Sequence, residues 1–94
     1  MMEQVIRAWH IGEHGAIYAG RCTDEEMKQF VREVRGYELA NRCIAACFEE
    51  VNQDEMDRER DYVGDYRKLR RTTYRKEAEA WGTDLPCQIH APYL

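Results

Sequence analysis

Ninety-four residues bound this protein to one domain, because domains hold about 50 to 250 residues and so short a chain cannot wall off a deep, water-free cleft. With 44% hydrophobic and 34% charged residues, two Pro and six Gly, the composition excludes a disordered or low-complexity chain. The net charge of −4 argues against non-specific attraction of the whole molecule to nucleic acid or anionic membrane.

The first expected element is a helix over about residues 3–20, where Val5, Trp9, Gly12, Ala16 and Ala19 fall at helical spacing. Ala8, Gly12, Ala16 and Gly20 recur at every fourth position. Such a row predicts close approach of a second helix, which would offset the low helix propensity of the glycines. Thr23 followed by Asp24, Glu25 and Glu26 is a capping box, so a second helix is expected over about 24–50, bent at Gly36.

A third helix is expected over about 54–81, since Tyr62, Tyr66, Leu69 and Thr73 repeat at steps of four, three and four. Its charges are ordered. Eight acids between Glu49 and Asp65 are followed by six bases between Arg67 and Lys76, an order that complements a helix macrodipole. Gly82, Pro86 and Pro92 make residues 82–94 an irregular tail. The fold class so predicted is all-α, a helical bundle made of a hairpin plus a long third helix, as a single domain over residues 1–94.

No run of about 18 apolar residues and no signal peptide is written in the sequence, so the expected compartment is the cytosol. Cys22, Cys43, Cys47 and Cys87 are then read as reduced thiols.

Three constellations could carry chemistry. His10-Ile11-Gly12-Glu13-His14 matches H-x-x-E-H, in which two His one helical turn apart bind zinc and the Glu activates water. Over those five residues the chain resembles the inverted zinc peptidases, a family whose site also needs a distant carboxylate and a larger domain. The string His10 to Gly20 is similar to the first metal-bearing helix of the ferritin-like demethoxyubiquinone hydroxylases, H-x-G-E-x-G-A followed by I-Y-x-G. That resemblance implies a di-iron bundle with Glu13 as ligand. The Glu-x-x-His motifs such a bundle requires do not occur in this chain, so it carries no activity across.

A structural zinc set of Cys43, Cys47, Cys87 and His90 is the second constellation, with the tail folded back. Cys87 and His90 alone would be the nearest nucleophile and base. The third is the charged run. Arg67, Lys68, Arg70, Arg71, Arg75 and Lys76 interleave with Tyr66 and Tyr74 as a nucleic-acid contact would, or dock on an acidic protein. Asp54, Asp57 and Asp61 in turn could imitate a phosphate backbone inside a basic channel.

The expected function is therefore non-enzymatic, without cofactor or resident metal. The protein recognises, and in one version inhibits, a protein or ribonucleoprotein partner through Asp54, Asp57, Asp61, Arg67, Lys68, Arg70, Arg71 and Arg75. The alternatives are a metal-binding protein using His10, Glu13 and His14 or the Cys/His set, and a nucleic-acid binder using Arg67 to Lys76. No membrane partner is expected, and a homo-oligomer is compatible with the pattern.

Overall fold

The computed structural model describes residues 5–13, 15–63 and 69–90. In chain order its elements are β1 (Arg7–Ile11), β2 (Ile17–Gly20), α1 (Asp24–Arg35), α2 (Tyr37–Ala46) and β3 (Phe48–Glu50). They continue with α3 (Gln53–Met56), β4 (Arg60–Val63), β5 (Leu69–Thr72), α4 (Tyr74–Trp81), a 3-10 turn (Gly82–Asp84) and β6 (Cys87–His90). The fold is mixed α/β, so the all-α helical-bundle expectation is overturned.

The helix expected over residues 3–20 is a β-hairpin in which Ala8 pairs with Ala19, Trp9 with Tyr18 and His10 with Ile17. Gly12 opens its turn at φ 94°, a left-handed conformation that an α-helix cannot contain. Ile11 closes the turn by donating to the Ala16 carbonyl at 3.1 Å. β3 adds antiparallel to β1, and β6 to β2, so the sheet runs β3-β1-β2-β6. The tail read as irregular thus supplies an edge strand.

The capping box is present as read. Thr23 Oγ1 accepts from the Glu26 amide at 3.2 Å, and Glu26 Oε1 accepts from the Thr23 amide at 3.0 Å. Gly36, at φ 86° and ψ 148°, does more than bend the second helix. It divides it into α1 and α2, and the chain leaves α2 for β3 where a helix to residue 50 was expected.

The long helix over 54–81 does not form. Its acidic half folds as α3 and β4, its basic half as β5 and α4, and β4 and β5 make a separate two-stranded hairpin with Asp61 opposite Arg71. Acids followed by bases satisfy an antiparallel hairpin, where they meet across the strands, as well as they satisfy a helix dipole. Thr73 then starts α4 by accepting from the Lys76 amide at 3.1 Å.

The sheet is buried on both faces. Ile6, Ala8, Ile17 and Ala19 pack with Val51, Met56, Tyr74 and Ala78 on the α3/α4 side. Trp9, Ile11, Ala16 and Tyr18 pack with Met27, Val31 and Ala40 on the α1/α2 side. The row of small residues is split accordingly, with Ala8 under α4 and Ala16 under α1 and α2. Among the described residues, no helix is long and apolar enough to cross a membrane.

Candidate functional site

α1 and α2 cover one face of the sheet without sealing it. Because Gly36 turns the chain between them, a depression remains along the seam where the two helices meet β2, β6 and the β1–β2 turn. Its middle section is a pocket of about 190 Å³ lined by Ile11, Ala16, Tyr18, Val31, Leu39 and Cys43, with Glu13 and Arg35 as the charged residues of the same lining. Tyr18 and Arg35 also border a more open section of about 370 Å³ beside Phe30, Val34 and Gln88. Glu13, Leu39 and Cys43 lead the other way into a third section of about 310 Å³ ending at Arg42 and Ala46. These shared walls make the three sections one groove.

Large apolar side chains are exposed beside the groove. Val34 is 55%, Tyr37 59% and Leu39 43% exposed. Of the five large hydrophobic residues exposed among those described, these three lie together at the α1–α2 joint. Arg35 is held there by neutral groups, with Nε donating to the Tyr18 hydroxyl at 2.8 Å and Nη2 to Gln88 Oε1 at 2.5 Å.

The sequence-predicted site residues that are described fall elsewhere, and two of them, Arg71 and Arg75, are paired with acids of the same segment. Arg75 Nε donates to Asp57 Oδ1 at 2.6 Å and Arg71 meets Glu59 at 3.1 Å. Asp54 is exposed on α3 and Asp61 on β4. Arg70 is a β5 residue opposite Tyr62 in the ladder. Arg67 and Lys68 lie outside the described residues. The acidic and basic runs are therefore brought face to face, which compensates much of the asymmetry visible in the sequence.

The metal constellations are taken apart. His10 sits on β1 and Glu13 in the following turn, so the helical spacing that would put both on one metal is gone, and His14 lies outside the described residues. His10 Nε2 instead lies 3.6 Å from Glu55 Oε2, which Arg60 also approaches at 3.6 Å. Arg60 lies over the Tyr74 ring at 4.1 Å. Burial raises the Tyr74 phenol above its ordinary value, with the charge of Arg60 pulling the other way.

Cys47 lies beside β3, its Sγ 3.6 Å from the His10 carbonyl, whereas Cys87 and His90 are on β6 at the opposite edge of the sheet. Three inter-strand spacings of about 4.8 Å separate those edges, too far for one ion. Among the described residues, no three His, Cys, Asp or Glu side chains are grouped to hold a metal. The four cysteines are free thiols. Burial first, and Asp84 second, push Cys87 up to about 11, which disfavours the thiolate a nucleophile needs.

Sequence reasoning missed Tyr18, Val34, Arg35 and Leu39. The signal available was the apolar Val34 and Leu39 flanking a helix-breaking glycine, but their common groove depends on strands 17 and 53 residues from Arg35. No protein-family model, no curated protein and no solved structure matches the chain.

Proposed function

We propose that this chain is a non-catalytic binding protein that holds part of a larger protein partner in the groove beneath the α1–α2 joint. The observation that carries this reading is that exposed Leu39 lines the apolar pocket between helices and sheet and exposed Val34 the section beside it, with Tyr37 exposed between them in the chain. Apolar side chains exposed together keep water from its own hydrogen bonds, and covering them with a partner releases that water. The charged segment Glu49 to Lys76 is the lesser candidate, because Arg71 and Arg75 are matched by Glu59 and Asp57.

The reading is tested by affinity capture from the source cells with the native chain, with Val34→Asp/Leu39→Asp, and with Arg71→Glu/Arg75→Glu, each shown folded by circular dichroism. Loss of a captured protein in the first variant and its retention in the second is the expected outcome. Loss only in the second would move the binding surface to the hairpin and α4.

A further inference from the structure

Arg35 stands where the middle section of the groove meets the more open section beside Gln88, and its surroundings specify what should lie against it. Both acceptors of its guanidinium, the Tyr18 hydroxyl and Gln88 Oε1, are neutral oxygens. Among the described residues, no carboxylate lies within ion-pair distance of it. Arg7, Arg60, Arg71 and Arg75 each meet one, at 2.7, 3.6, 3.1 and 2.6 Å, whereas Arg21, Arg32, Arg42 and Arg58, like Arg35, show none among those residues. Of these, Arg35 is the one that borders both the middle section and the section beside Gln88. Two of the five guanidinium N–H groups are used in these bonds, so others remain to donate.

Tyr18 strengthens the seat. Its side chain is buried, with the residue only 3% exposed, and its hydroxyl accepts from Arg35, which leaves the phenolic proton to be given to another acceptor. A guanidinium and a hydroxyl in the lining of a mainly apolar pocket favour a carboxylate. With Arg42 in the adjoining section, the described lining of the groove carries two cations against the single acid Glu13, and charge-assisted bonds there are weakened less by water than on open surface.

The middle section, about 190 Å³ and lined mostly by apolar side chains, can take one aliphatic side chain. The groove also continues past Arg35 on one side, towards Cys87, and past Cys43 on the other, towards Ala46. An extended occupant can follow all three sections past Arg35. The geometry points to an internal, extended segment of a partner protein, in which a Leu- or Ile-sized side chain fills the pocket and a neighbouring Asp or Glu seats on Arg35 and Tyr18. This rests on the groove being the partner-binding surface.

The probe is a library of short random peptides displayed within a carrier loop and selected on the folded full-length chain. Acetylated, amidated fluorescent copies of the winners follow, with affinity read by anisotropy. Winners should pair Leu or Ile with an acid one or two positions away. Changing that acid to its amide, or Arg35→Gln in the protein, should each weaken binding about tenfold or more, and both together little further. Arg35→Lys should restore part of the loss.

Selection of peptides without acids, bound equally by Arg35→Gln but lost in Leu39→Asp, overturns the acidic assignment and leaves the groove as the surface. Binding indifferent to both variants removes the groove reading as well, as does a selection that enriches nothing. Binding that requires a free terminal carboxylate overturns the internal segment. A dimer broken by Leu39→Asp, on a groove that takes no peptide, makes the occupant a second copy and likewise overturns the proposal.

Discussion

Arg7 reaches diagonally from β1 to Glu50 on β3, which lies opposite Trp9, through two hydrogen bonds, Nε to Oε2 at 3.1 Å and Nη2 to Oε1 at 2.7 Å. The same guanidinium also reaches Asp24 Oδ1 at 2.7 Å and the Cys22 carbonyl at 3.1 Å, so it ties β1, β3 and the start of α1 together. Arg7→Ala should destabilise the protein by about 1 to 2 kcal/mol in urea denaturation, because a forked pair within a network exceeds an isolated surface ion pair. Its side chain is 27% exposed, which argues against a larger effect. An unchanged midpoint would show the network to be incidental.

The two faces of the sheet hold separate clusters, with Met27 and Met56 each fully buried on opposite sides. Met27→Ala and Met56→Ala should each cost about 2 to 5 kcal/mol, through lost burial and the cavity left behind. Since the sheet lies between them, their double-mutant coupling should stay within about 0.5 kcal/mol. A coupling several times larger would mean that the faces share one packing unit.

Gly36 has space around it, for a Cβ built there meets nothing within 4 Å, yet its φ of 86° with ψ of 148° is a conformation almost confined to glycine. Gly36→Ala should therefore cost about 1 to 3 kcal/mol without any clash. Because the joint shapes the groove, partner affinity should fall with it. Unchanged stability would show that α1 and α2 can join through another backbone conformation.

Glu26 is held below the ordinary carboxylate range by its hydrogen bond to the Thr23 backbone and then by the Thr23 hydroxyl. A depressed carboxylate contributes its stability fully above the unfolded value, near 4.5, and loses it as pH falls through the folded one. The stability advantage of the native chain over Glu26→Gln should be constant near neutrality and shrink on acidification below that value. A difference independent of pH would show that the charge plays no part in the cap.

Cys87, pushed up to about 11, should react with iodoacetamide at pH 8 about a hundredfold more slowly than a thiol of pKa near 9, in proportion to its thiolate fraction. Peptide mass spectrometry after timed alkylation reads this directly. Labelling of Cys87 at the rate seen in urea would show that its burial does not govern its chemistry.

What the sequence determined by itself was local. Thr23 and Glu26 are three residues apart, so their reciprocal bonds and the start of α1 could be read without knowing any other part of the chain. The glycine stop at Gly82 was legible for the same reason, whereas Gly36 reads in the sequence only as a bend within one helix.

The tertiary structure decided the rest. Residues four apart share a face in a strand as well as in a helix, so Ala8 and Gly12 could not distinguish the two. Strands buried on both faces, with Ala8 beside Trp9 and Tyr18 beside Ala19, show no alternation of polar and apolar residues to betray them. The order of acids before bases likewise fitted both a helix and the Asp61 and Arg71 cross-strand pair. The candidate groove was furthest from view, since it exists only where Arg35 meets Tyr18 and Gln88, and pairing over such separations is set by sheet register and core packing, not by local pattern.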